Sequence, residues 1–130
     1  MARDHRRLRV YHEAHSLVLA IYHETRSFPR DEWFGIRSQI RRAAVSTVSN
    51  IVEGNARRST REYVNFLNVA RASAAEVLYL VHLTSELGYL PASAHERLAN
   101  ACGQLIPQLE GLMKRMESLA TSEIKTRGDD

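Results

Sequence analysis

The sequence predicts an all-α protein, an up-down-up-down four-helix bundle, and three observations carry that expectation. Chain breakers cluster at only three places, Ser27-Phe28-Pro29-Arg30-Asp31, Gly54-Asn55-Ala56-Arg57-Arg58-Ser59 and Gly88-Tyr89-Leu90-Pro91, which leave four segments of roughly 20 to 30 residues. Those segments are rich in Ala, Leu, Arg and Glu and hold no alternating Val/Ile/Thr runs. Each also carries one apolar stripe, and four amphipathic helices on short turns bury such stripes only against one another.

The expected helices cover about residues 8–27, 31–54, 60–87 and 92–120, within a turn at each end. In the first, Val10, Ala14, Leu17 and Ile21 lead to Phe28, and Tyr11, Val18 and Tyr22 widen the face. In the second, Ile36, Ile40, Ala44, Val48 and Ile51 share a face. Ser59-Thr60-Arg61-Glu62 reads as a capping box for the third. Its stripe is Tyr63, Phe66, Leu67, Ala70, Ala74, Val77, Leu78 and Val81. Gly88 suits the left-handed residue that closes this helix, and Pro91 opens the next. The fourth has a heptad seam, Leu98, Cys102, Leu105, Leu109, Leu112, Met116 and Leu119. Pro107 lies inside that seam, so a kink is expected there. Residues 1–7 read as a basic tail and residues 121–130 as a disordered one, because neither has apolar periodicity.

Composition fits one globular domain: 130 residues, 44% hydrophobic and 25% charged. At this length a compact chain buries roughly two-thirds of its unfolded surface, enough for a single core. The lone Cys102 forms no internal disulfide, and no long apolar run or leader pattern occurs, so a cytoplasmic protein without membrane contact is expected. The net charge of +3 is unevenly spread: residues 1–60 hold 11 Lys and Arg against 6 Asp and Glu, whereas residues 61–130 hold 7 against 9. Sixteen of the 18 basic residues are arginine, whose forked guanidinium suits phosphate or carboxylate.

The chemistry of common enzymes is missing. No glutamate precedes a histidine by three residues, so the di-iron pattern of helical bundles is absent. His12-Glu13-Ala14-His15 has the wrong spacing for a zincin, and no Walker loop, dinucleotide fingerprint or nucleophile elbow occurs. No metal, cofactor or catalytic residue is therefore expected. Arg7 and His12 satisfy the Arg-x4-His spacing of helical ribonucleases of the HEPN class, a short pattern at the very start of the first helix.

Two arginine clusters are the candidate nucleic-acid contacts. Arg37 and Arg41 lie one turn apart with Arg42 beside them, and Arg57, Arg58 and Arg61 gather at the turn into the third helix. The clusters stand roughly 24 Å apart along the helix, a span that a phosphate backbone bridges with salt-sensitive, sequence-tolerant contacts. The competing expectation is internal pairing, in which Arg41 or Arg42 neutralises Glu76, and Asn50 and Asn65 satisfy each other across the helix pair. The small residues of 43–50 and 70–76 lie all round their helices, which points to packing on more than one face and to subunit association.

The run from Phe28-Pro29-Arg30-Asp31-Glu32-Trp33-Phe34-Gly35 through Gln39, Arg41, Ser46 and Asn50 to Glu53-Gly54, then Arg57-Arg58-Ser59, Ser73, Glu76 and Leu87-Gly88-Tyr89-Leu90, resembles the four-helix bundle proteins encoded in intervening sequences of bacterial 23S ribosomal RNA genes. Asn55 and Ala72 depart from the pattern, standing where an aromatic and a glycine are expected. The resemblance implies a non-enzymatic bundle related to the accessory variability determinant of diversity-generating retroelements. That relative is a basic homopentamer that binds nucleic acid and a reverse transcriptase. It also implies that Gln39, Arg41, Asn50, Glu53, Ser73 and Glu76, with Asn65 from the pairing argument, hold helices or subunits together. Three functions compete: an oligomeric RNA- or DNA-binding accessory protein, a scaffolding oligomer with a protein partner, and a ribonuclease using Arg7 and His12.

Overall fold

In the computed structural model, which describes residues 3–129, a 3-10 turn at His5–Arg7 leads into α1 (Arg9–Glu24). A second 3-10 turn at Arg30–Glu32 precedes α2 (Ile36–Asn55), followed by α3 (Thr60–Glu86) and α4 (Ala92–Asp129). Every sequential pair of α-helices packs together and α1 closes the ring against α4, while the diagonal pairs stay more than 8 Å apart between Cα atoms among the described residues. Successive helices run antiparallel. Asn55 Nδ2 donates to Tyr63 Oη across α2 and α3, His82 meets His95 across α3 and α4, and Arg97 reaches Glu24 across α4 and α1.

Local chemistry sets the helix ends. Ser59 Oγ accepts from the Glu62 backbone N–H at 3.3 Å and starts α3. Gly88, with φ +80°, closes it: the Tyr89 N–H reaches the Thr84 carbonyl and the Gly88 N–H reaches that of Ser85, which is a Schellman arrangement. α4 continues as one helix through Pro107.

The stripes read from the sequence form the core. Val10, Ala14, Leu17, Ile21 and Phe28 meet Ile40, Ala44 and Ile51, and the α3 and α4 stripes complete it as far as Leu112. Three buried threonines, Thr25, Thr47 and Thr84, fit this core by donating to the carbonyl four residues back. Cys102 is fully buried on α4, and that burial pushes its thiol up to about 12. It is expected to resist iodoacetamide at pH 8 until denaturant opens the bundle. The unfolded chain loses the thiol proton near the ordinary 9.0, while the folded chain keeps it to about 12. This site therefore lowers stability as pH rises above about 9, and a Cys102→Ala variant should show a shallower decline in the same alkaline titration. Rapid native-state labelling would contradict the burial.

Both ends depart from the expected tails. Asp4 caps the 3-10 turn by accepting from the Arg6 backbone N–H, and two hydrogen bonds from the Arg6 side chain hold its carboxyl down at about 2. Arg3 Nη1 donates to the Arg57 carbonyl at 2.7 Å and its guanidinium lies over the Tyr63 ring, so this arm is folded onto the α2–α3 turn. At the other end, residues 121–129 extend α4. Continuing a formed helix through Ser, Glu, Ile, Lys and Arg requires only propagation, not a new nucleus. Glu123 also accepts from Thr60 Oγ1 at 2.9 Å. Residues 1, 2 and 130 lie outside the described residues.

Candidate nucleic-acid interface

The end of α1, the turn that follows it and α2 as far as Ser49 form an open groove of about 660 Å³. Arg37, Arg41 and Arg42 line it together with Tyr22, Trp33, Phe34, Val45 and three serines, and no carboxylate lines it among the described residues. The arginines are held by aromatic faces and helix ends. Arg37 lies 4.3 Å over the Trp33 ring, whose Nε1 donates to the Phe28 carbonyl and fixes the indole. Arg41 lies 4.5 Å over Tyr22, and its Nε donates to Thr25 Oγ1 at 2.8 Å. Its Nη2 reaches the Tyr22 carbonyl at 3.2 Å. That carbonyl belongs to the last turn of α1, where the helix end is negative and cations are favoured.

This placement overturns the expected bond from Arg41 to Glu76, because the α1 terminus takes the guanidinium first. Burial, and then the neighbouring Arg37 charge, push Arg41 below the ordinary guanidinium value, as crowded cations without a carboxylate do. Arg42 does share a groove with Glu76, lined also by Gln39, Ala43, Ser46 and Ser73, yet no ion pair joins them within 4.0 Å among the described residues. Among the described residues, the carboxylates that find a cation use Arg6, Arg9 and Arg97 instead.

The second cluster lies at the far end of α2. Arg57 stacks 4.6 Å over Phe66, and Arg58 and Arg61 are exposed. None of the six candidate arginines forms an ion pair among the described residues. Arg3 joins this second cluster from the chain's start.

The polar residues divide. Ser73 and Ser46 share a hydrogen bond of 2.8 Å, and Asn50 Nδ2 donates to the Ser46 carbonyl at 2.8 Å and to its hydroxyl at 3.1 Å. The expected Asn50–Asn65 pair does not form. Ser46 faces Ser73 and Asn55 faces Tyr63, so Asn50 lies level with Asn68 and Val69, and Asn65 is exposed. Gln39, Glu53 and Glu76 are exposed as well. Asn55, which departs from the resemblance, is buried against Tyr63.

The Arg-x4-His pair is not assembled as a reacting couple. His12 Nε2 donates to the Arg6 carbonyl at 2.6 Å, Glu13 accepts from Arg9 at 2.9 Å, and Arg7 has no hydrogen bond to His12 among the described residues. What sequence reading missed is the aromatic half of the groove. Its signal was available, since Trp33-Phe34 sits between Pro29 and Gly35 and outside every apolar period.

The family model described as 23S rRNA-intervening sequence protein matches residues 6–111, most of the chain and all of the groove. The chain belongs to that family. A solved structure from Bacteroides thetaiotaomicron, described as a protein with unknown function from the S23 ribosomal protein family, is similar in fold, with a TM-score of 0.74 at 23% identity. The match covers 81% of this chain and 98% of that one. Comparison with curated proteins returns no match. Within the 23S rRNA-intervening sequence family, then, this member has four antiparallel helices and two arginine clusters at opposite ends of α2. No helix among the described residues is long and apolar enough to cross a membrane.

Proposed function

We propose that this protein is a non-enzymatic, self-associating bundle that binds the RNA or DNA backbone through Arg37, Arg41, Arg42, Arg57, Arg58 and Arg61. It would serve in the cytoplasm as a ribonucleoprotein or reverse-transcriptase accessory factor. The supporting observation is that these six arginines form no ion pair among the described residues, although 15 acidic residues share the chain. Arg41 is the one of the six whose guanidinium is tied by hydrogen bonds, to Thr25 and the Tyr22 carbonyl, among the described residues. The other five have neither an ion pair nor a side-chain hydrogen bond there, which supports their being available to phosphate, a group arginine grips through two parallel bonds. A net charge of +3 is modest for a nucleic-acid binder. Copies in a closed ring, a homopentamer by analogy with the related accessory determinant, would multiply the patches and supply avidity.

A scaffolding oligomer with a protein partner is the second reading, favoured by the exposed apolar side chains Val45, Val69 and Tyr79 on α2 and α3. Light scattering at two salt concentrations, with and without a mixed RNA/DNA oligonucleotide, separates the two. The nucleic-acid reading expects a multiple of the monomer mass that binds oligonucleotide at low salt and releases it at high salt. Replacing Arg37, Arg41 and Arg42 by Gln should lower the slope of log affinity against log salt by about 2 to 3, near one for each phosphate no longer neutralised. A monomer indifferent to oligonucleotide would defeat this reading.

A further inference from the structure

We infer that the groove at the start of α2 takes an unpaired base of single-stranded nucleic acid, stacked on Phe34, with Arg37, Arg41 and Arg42 holding the flanking phosphates. The inference rests on the nucleic-acid reading above and narrows its ligand. Three aromatic rings border the groove, and two already carry a cation. Trp33 has Arg37 at 4.3 Å and Arg30 at 5.2 Å, and Tyr22 has Arg41 at 4.5 Å. Phe34 alone is uncovered, with 96% of its surface in water.

Its position is held by its neighbours. The preceding indole is tied to the Phe28 carbonyl, and the Gly35 N–H that follows donates to the Glu32 carbonyl at 3.1 Å. Glu32 accepts from Tyr89 Oη at 3.0 Å through one carboxylate oxygen and keeps the other against Gly35, and no carboxylate lines the groove itself among the described residues. An open π-face beside three cations that have no carboxylate partner, with no acid lining the groove among the described residues, is complementary to a ligand that has both a flat apolar ring and adjacent negative charge. A nucleotide with an unpaired base has both. A duplex presents phosphates to the arginines but keeps its bases stacked on one another, so Phe34 distinguishes the strand states.

Fluorescence anisotropy with one labelled single-stranded RNA of mixed sequence, and with the same RNA annealed to its complement, tests the inference. Phe34→Ala is expected to weaken single-strand binding roughly five- to a hundred-fold, the range for removing one base–aromatic stack. Duplex binding and the melting temperature should not change, because the side chain is already in water. Phe34→Trp should retain single-strand binding. An unchanged single-strand affinity in Phe34→Ala overturns the inference, and so does an equal loss on single strand and duplex. A drop in solution mass of Phe34→Ala without oligonucleotide also overturns it, because Phe34 would then serve a protein contact. If the unaltered protein binds neither RNA nor the DNA of the same sequence, the nucleic-acid reading fails too. If it binds both RNAs and Phe34→Ala has no effect, that reading stands and only the base site is lost.

Discussion

Gly54→Val is expected to destabilise the bundle by about 3 kcal/mol, at the upper end for forced overpacking. Gly54 is buried in the last turn of α2, where α2 approaches α3 closely. A Cβ there would stand 2.7 Å from the Phe66 Cβ, 3.0 Å from Tyr63 Cδ1 and 3.3 Å from the Tyr63 carbonyl. The first and third of these atoms cannot swing aside, since one is a Cβ and the other backbone, so the helices must separate. Separation would also strain the buried Asn55–Tyr63 hydrogen bond next door. Gly54→Ala makes the sharper test of sign. On an open helix surface alanine gains about 1 kcal/mol over glycine, whereas here the contact at 2.7 Å should turn that gain into a net loss. Urea unfolding reads both variants, with a lower midpoint at an unchanged slope. A Gly54→Ala protein more stable than its parent would show that the close approach does not exist. Phe66 also carries Arg57 on its ring, so these variants should loosen the second arginine cluster as well.

Much of this architecture is legible in the sequence because breakers and periodicity are local. Gly88 with positive φ, Ser59 as a cap and the α4 seam from Leu98 to Leu112 all follow from spacing alone. Thr47 and Thr84 escape a reading by polarity, because a threonine's hydroxyl hides in its own helix once it bonds the carbonyl four residues back. The site divides in the same way. Residue type and spacing indicate which arginines cluster, but not whom they meet. A register error of three or four positions is about one helical turn, so it leaves a side chain on its face but slides it about 5 Å along the axis and changes every cross-helix partner. Asn50 shows the consequence, lying level with residues 68 and 69 and bonding within α2. Arg41 turns to α1 rather than α3, because a helix C-terminus attracts a cation through carbonyls that no sequence pattern marks. Phe34 falls outside every apolar period, so periodicity gives it no place, although its position between Trp33 and Gly35 marks it as a turn residue.

Leu109→Ala is expected to cost about 2–5 kcal/mol, whereas Leu119→Ala should change stability by less than about 0.5 kcal/mol. By sequence the two are equivalent members of one seam. In the structure Leu109 is fully buried, but Leu119 is 50% exposed, beyond Leu112, the last buried member of the seam. Truncating Leu109 removes apolar surface and leaves a cavity among packed neighbours; truncating Leu119 opens a site that water already reaches. Urea midpoints for the two variants at one protein concentration should therefore lie far apart. The comparison also bears on self-association, since Leu119 and Ile124 are exposed apolar side chains near the end of α4. If a second copy covers them, Leu119→Ala becomes costly at high protein concentration and harmless at low, because subunit binding contributes to apparent stability by mass action. Leu109→Ala keeps the same cost at both concentrations. The pair thus reports whether the heptad seam ends at Leu112 or continues between subunits.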